Sequence, residues 1–188
     1  KRNIIKSVTF SQDGTDLPTV RPVKPHDNKS QTVGAISSKA IFAGGNGIFF
    51  VTPNNEIVSI RRLENVDYPQ VVPISDPIKP TVSGMDFVSS TGVYWMNKAY
   101  FSARQSTASP ANDVILVYNA RRNAWESPII GFNVGDWSIA KFATEDLYFG
   151  DSTQPNTYKT TETPLDDIYD TTANWRSREE TFGLPHAL

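Results

Sequence analysis

The chain of 188 residues contains no cysteine. This excludes a disulfide framework and any zinc or iron–sulfur site built on thiolates, and it leaves the redox compartment open. Histidine is nearly absent too. His26 and His186 both sit in proline-containing loops, without the partners at fixed spacing that a metal or catalytic histidine needs. No apolar run approaches the roughly 18 residues of a membrane-crossing helix, so no membrane partner is expected. Charge of one sign is lacking as well. The 18 basic and 20 acidic side chains leave a net charge of −2, without the basic excess of a protein that coats nucleic acid. Helical periodicity is almost missing, with residues 78–87 the one stretch that suits a helical turn.

Hydrophobic residues make up 38% of the chain and aromatics 11%, enough for a folded core. Proline (13) and glycine (11) fall mostly between periodic segments, as turn residues do. One turn-rich β module recurs three times, about fifty residues apart. The copies are residues 40–61 (AIFAGGNGIFFVTPNNEIVSIR), 93–125 (VYWMNKAYFSARQSTASPANDVILVYNARRNAW) and 138–160 (SIAKFATEDLYFGDSTQPNTYKT). Each reads as an apolar strand, a polar turn, an alternating strand, a longer loop and another alternating strand. Asn46-Gly47 is the strongest hairpin signal, and Asn54-Asn55 and residues 119–123 mark further turns. A repeat of this size predicts an all-β fold of the propeller kind, here a partial β-propeller of about three blade-like modules.

The flanks read differently. Residues 1–39 form an extended, irregular N-terminal segment. Within it Ile4-Ile5 and residues 8–10 suit one strand, Ser11-Gln12-Asp13-Gly14 a turn, and residues 17–27, with Pro18, Pro22 and Pro25, an extended connection. Residues 40–160 carry the blades. The prolines of residues 71–80 keep that stretch from being a central strand. Residues 161–188 form an acidic, Thr-rich linker and the first strand of a following β domain, opened by residues 173–182. The chain starts at Lys1 rather than a methionine and is read as a segment of a longer protein.

Signatures of chemistry are thin. Gly44-Gly45-Asn46-Gly47 lacks the Lys-Ser/Thr and the helix of a phosphate loop, and reads as a hairpin turn. Asp166, Asp167 and Asp170 lack the ligand spacing of a calcium loop and read as solvated linker. No Gly-x-Ser-x-Gly elbow occurs, and Ser11–Gly14 misplaces the glycine of a sialidase box. The sequon at Asn28 carries no weight without a secretory context. Arg61-Arg62 and Arg121-Arg122 suit solvated strand ends. Among the tryptophans, Trp95 and Trp137 are candidate carbohydrate-stacking residues, whereas Trp125 and Trp137 also suit the core between adjacent blades. No catalytic, cofactor or metal residues emerge, and no enzyme is expected.

Several segments, in order, resemble a known class. They are Val33-Gly34-Ala35-Ile36 leading into Asn46-Gly47-Ile48-Phe49-Phe50 and Glu56-Ile57-Val58-Ser59-Ile60, then Pro73-Ile74-Ser75-Asp76-Pro77-Ile78. Ala99-Tyr100-Phe101, residues 114–118 with Trp125, and Leu147-Tyr148-Phe149-Gly150-Asp151 with Tyr158 follow. Asn174-Trp175-Arg176-Ser177-Arg178 with Phe182-Gly183 closes the order. Together they resemble the β-propeller-containing structural proteins of tailed-bacteriophage tails and head–tail connectors, of nozzle, hub or DNA-stabilisation type. The resemblance implies a virion component of tail or neck without catalytic residues. It would assemble with other virion structural proteins in a homo-oligomeric ring and make non-specific contact with packaged DNA. A receptor-binding tail protein that recognises carbohydrate is the alternative.

Overall fold

A computed structural model describes residues 6–9, 19–22, 24–25, 34–45, 47–61, 70–141 and 145–160. The architecture among them is all-β. The strands are β1 (Lys6–Thr9), β2 (Thr19–Pro22), β3 (Lys24–Pro25), β4 (Phe42–Gly44), β5 (Gly47–Val51), β6 (Ile57–Arg61) and β7 (Gln70–Pro73). They continue with β8 (Gly92–Trp95), β9 (Lys98–Ala103), β10 (Val114–Asn119), β11 (Ala124–Trp125), β12 (Ile129–Ile130), β13 (Val134–Lys141), β14 (Glu145–Asp151) and β15 (Thr157–Lys159). One short helix, α1 (Lys79–Val82), follows the 3-10 turn Asp76–Ile78. It lies inside the stretch 78–87 that the sequence marks as helical.

Beyond the β1–β2 hairpin, the strands form three sheets. Sheet I has the order β3-β7-β6-β5-β4, sheet II the order β11-β10-β9-β8, and sheet III the order β13-β14-β15. Each is an antiparallel meander of hairpins between neighbours in sequence, except that β3 joins β7 in parallel. The turn expected around Asn46-Gly47 joins β4 to β5, with Gly44 opposite Gly47 and Gly45 at φ 56°. Asn55 and Asn123 turn the chain at φ 58° and 51°, in the left-handed region that asparagine tolerates. The fourth strand of sheet II is split. β11 pairs with the end of β10 and β12 with its start; the Glu126 N–H still donates to the Val117 carbonyl at 2.9 Å, and Ser127 and Pro128 separate the two paired stretches.

Alternation along the strands gives each sheet two faces. In sheet II the row Tyr94, Ala99, Tyr118 and Trp125 points to one side, and Val93, Tyr100 and Val117 to the other. The first side packs on Phe49, Val51 and Ile57 of sheet I, closed at one end by Ile74, Val82, Met85 and Phe87. The second packs on Val134, Leu147 and Phe149 of sheet III. Sheet II is therefore a filling between two others. This explains why Val114-Ile115-Leu116-Val117-Tyr118 is apolar without interruption, and why all five are buried. Each fully buried side chain of this size contributes about 1.5–3 kcal/mol through burial.

The strands that open the three meanders, called first strands below, lie side by side, β4 against β8 and β8 against β13. Between β4 and β8 the contact is an interlock. Phe42-Ala43-Gly44 and Gly92-Val93-Tyr94 place one aromatic and one glycine each. A Cβ on Gly44 would stand 1.9 Å from Tyr94 Cγ, and one on Gly92 would stand 2.1 Å from Phe42 Cε1. Each ring thus occupies the space that the opposite glycine leaves empty.

Two readings of the flanks need correction. Part of the stretch 17–27 is not a mere connection: residues 19–22 and 24–25 form β2 and β3, with Pro22 and Pro25 at strand ends, where proline's missing N–H costs no ladder bond. The proline-bearing stretch 71–80 opens as strand β7, which lies between β6 and the short β3 and stops at Pro73. The turn at 11–14, His26, the sequon at Asn28, Arg62, His186 and everything expected of residues 161–188, including the acidic cluster and the following domain, lie outside the described residues.

Candidate functional site: a hydroxyl-lined cleft

The cleft opens where the three first strands begin. It measures about 460 Å³. Ser37, Ser38 and Lys39 come from the turn before β4, Val88, Ser89 and Thr91 from the turn before β8, and Val134 and Gly135 from β13. Arg104, Pro110, Ala111, Asn112 and Ser152 complete the wall from the β9–β10 and β14–β15 loops.

Hydroxyls and amides here tie backbone to backbone. Ser37 Oγ donates to the Ser90 carbonyl at 2.7 Å, which fixes the entry to β4 against the entry to β8. Asn112, at 5% exposure, spends its whole side chain on neighbours. Its Nδ2 donates to the Ser89 and Val134 carbonyls at 2.8 and 3.2 Å, and its Oδ1 accepts from Ser89 Oγ at 3.0 Å. The Val134 N–H donates back to the Asn112 carbonyl at 2.8 Å. Thr91 and the fully buried Ser102 exchange side-chain and backbone bonds, with their hydroxyls 2.9 Å apart. One asparagine thus joins sheet II to the start of sheet III.

The charges at the rim are paired. Lys39 Nζ meets Asp136 Oδ2 at 3.1 Å across the cleft mouth, but both side chains are more than half exposed, so the pair adds little to stability. Arg104 reaches Asp86 at 3.7 Å. Asp86 also accepts the Val88 N–H at 3.0 Å, so this carboxylate is occupied by its own turn. Neither cysteine nor histidine lines the cleft, and its charged lining residues are Lys39 and Arg104. Among the described residues no group of three His, Asp or Glu side chains stands close enough to share a metal ion. What this arrangement does chemically is hold three sheets at one end by directed hydrogen bonds.

The two tryptophans singled out in the sequence are brought together, but elsewhere. Trp95 and Trp137 flank Tyr100 in the core between sheets II and III, at ring separations of 6.5 and 5.8 Å. Trp95 is 4% exposed and offers no open ring face for a sugar, whereas Trp137 is half-buried against the same cluster. Trp125 lies against the core between sheets I and II, where its Nε1 donates to the Ile74 carbonyl at 2.7 Å. Gly44 and Gly45 seat the Tyr94 ring and its hydroxyl within the β4–β5 hairpin. Asn112, Ser37 and Ser89 escape a reading of the sequence, because their partners lie 22 to 53 positions away. The one local signal is an asparagine closing the Ser/Thr/Pro loop before β10.

No protein-family model matches this chain, and no curated protein matches it in sequence.

Proposed function

We propose that this chain is a non-enzymatic structural subunit of a tailed-bacteriophage particle, in the tail or head–tail connector, and that its sheets are consecutive blades of a β-propeller arc. The observation that carries the reading is the side-by-side run of first strands β4, β8 and β13, each opening a meander that packs face to face on the next. In a propeller the blades are arranged radially and their first strands stand nearest the axis. The assignment to a virion rests on the ordered segments that resemble phage tail and connector proteins.

Three blades fall short of the roughly four to eight of a closed propeller, so further blades would come from other parts of the protein or from neighbours. Function is then assembly, with other virion structural proteins and further copies in a ring as partners. If the ring surrounds the DNA path, a net charge of −2 lets DNA pass without being held, since tight binding scales with the phosphates neutralised. Imaging of intact particles by electron microscopy tests the reading: density for this chain in a ring at the tail or neck is expected, and particles complete without it would overturn the proposal. The DNA clause has its own check. Binding that is tight and falls steeply with salt would sink it.

A further inference from the structure

We infer that the end of the sheets opposite the cleft is a docking site for an acidic peptide, built on Arg61, Arg121 and Arg122, and that its occupant is the acidic segment 161–170 of the same chain. All three meanders begin at the cleft, so their opposite ends also lie together. Arg61 closes β6 there, on the side of sheet I that faces sheet II, as Ile57 and Ser59 do. Arg121 and Arg122 occupy the turn between β10 and β11. Tyr118 ties the two places together. Its hydroxyl donates to Asn123 in that turn, and its phenol lies near enough to Arg61 for that charge to oppose the effect of burial.

These arginines differ from the cations of the cleft in having no carboxylate. At the cleft, Lys39 has Asp136 and Arg104 has Asp86. At the opposite end the carboxylates are engaged elsewhere. Glu126 takes Lys98 at 2.9 Å and Asn119 at 3.2 Å, and Asp146 takes Lys159 at 2.9 Å. Among the described residues no acid pairs with Arg61, Arg121 or Arg122. The turn is held before anything binds. The Ala120 N–H donates to the Asn97 carbonyl at 2.8 Å, and the Arg122 N–H donates to Asn119 Oδ1 at 3.1 Å. Only side chains then have to be ordered, and guanidinium groups bind carboxylates through paired, charge-assisted hydrogen bonds.

The sequence supplies the ligand. Residues 161–170 read TETPLDDIYD, with carboxylates at Glu162, Asp166, Asp167 and Asp170 and no basic residue. The point from which they leave is fixed. Thr160 is buried, and its N–H and hydroxyl both donate to the Leu147 carbonyl, at 2.8 and 3.0 Å. β15 runs antiparallel to β14, away from the cleft and toward the arginine end. Packed sheets stand about 10 Å apart and ten extended residues span about 33 Å, enough to reach from sheet III across sheet II to Arg61. Duplex nucleic acid fits less well. A chain of net charge −2 draws in no polyanion at long range, and three arginines neutralise few phosphates. The inference does not depend on the virion reading.

The test is the binding of a fluorescent TETPLDDIYD peptide to the 188-residue chain, read by anisotropy at low salt. A chain with Asp166→Asn, Asp167→Asn and Asp170→Asn leaves its arginines open. It should bind the peptide about tenfold more tightly than the unaltered chain, whose own segment competes. In that Asn-substituted chain, Arg121→Gln with Arg122→Gln should weaken binding by about tenfold, and Arg61→Gln should weaken it as well. Salt at about 0.5 M should remove most of it. Arg121 and Arg122 are exposed, so their replacement should leave the far-UV spectrum and melting temperature unchanged. Equal affinity for the unaltered and Asn-substituted chains, binding indifferent to the arginines, or tighter binding of a short DNA duplex at the same arginines would each overturn the inference.

Discussion

The two interfaces of sheet II use the same material to different effect. Between sheets I and II, six rings form one linked group: Phe42, Phe49, Tyr94, Phe101, Tyr118 and Trp125. Between sheets II and III, six more do so: Trp95, Tyr100, Phe132, Trp137, Phe149 and Tyr158. Ring count does not distinguish them, but fit and the bonding of the indole nitrogens do. At the first interface, rings drop onto glycines, the Trp125 indole donates to Ile74, and the Tyr118 hydroxyl donates to Asn123 at 2.5 Å. At the second, the indole N–H groups of Trp95 and Trp137 are buried without a partner. An unmade hydrogen bond in a core costs about 1–3 kcal/mol, so equal apolar area need not mean equal adhesion. The first interface is an interlocked joint that leaves one hydroxyl, that of Ser59, unpaired, whereas the second leaves two indole N–H groups without acceptors.

The largest effect should come from the joint itself. Gly92→Ala drives a methyl into the Phe42 ring and Gly44→Ala drives one into Tyr94, and each should cost about 3 kcal/mol or more in urea unfolding. Adding Phe42→Ala to Gly92→Ala should recover part of that loss. Strictly additive costs would mean that ring and glycine do not share the space. Next comes a matched pair. Trp125→Phe and Trp137→Phe remove the same ring volume from half-buried sites, but only the first leaves a carbonyl, that of Ile74, without its donor. Trp125→Phe should therefore be the more destabilising by about 1 kcal/mol. Equal costs would remove the polar half of the comparison.

A smaller effect belongs to the sheet that both interfaces share. Met96 and Asn97 turn β8 into β9 at φ 46° and 62°, a left-handed pair that asparagine and glycine occupy with less strain than methionine. Met96→Asn should raise stability by about 0.5–1 kcal/mol, read as a higher melting temperature, without favouring either interface. The subtlest difference is alkaline. Burial raises the Tyr94 phenol above its ordinary value, and it raises that of Tyr118 against an opposing pull from Arg61. A raised folded value means that their contribution is complete below the ordinary tyrosine range and lost as pH rises through the folded value. Phenolate absorbance should show late-titrating tyrosines that disappear in Tyr94→Phe and Tyr118→Phe. A titration with none later than free tyrosine would contradict this.

How much of this was legible in the sequence depends on the range of the cause. Hairpins are local, so Asn46-Gly47, Asn54-Asn55 and the apolar run 114–118 announce their turns and strand directly. The all-β character follows from them. The interlock is not local: Gly44 and Gly92 are each ordinary turn-or-strand glycines until a ring 50 positions away is seen to need the space. The same holds for Asn112, whose meaning lies in the carbonyls of Ser89 and Val134. Tryptophan was ambiguous for a physical reason. A ring suited to stack on a sugar is equally suited to fill a gap between sheets, and only burial separates the two uses. The two-residue strand β3 is too short for any pattern, and its place is set by β7.

The interlock also has a consequence for the order in which the molecule is made. Each sheet closes mainly through hairpins between sequence neighbours, so its formation needs little loop closure and should be fast. The seating of Phe42 over Gly92 and of Tyr94 over Gly44 requires both sheets to exist first, and we expect it to fall after the rate-limiting barrier, which chevron kinetics of Gly92→Ala would test. Damage there would leave the folding rate almost unchanged and appear as faster unfolding. The glycines would then govern how long an assembled copy lasts rather than how quickly it forms.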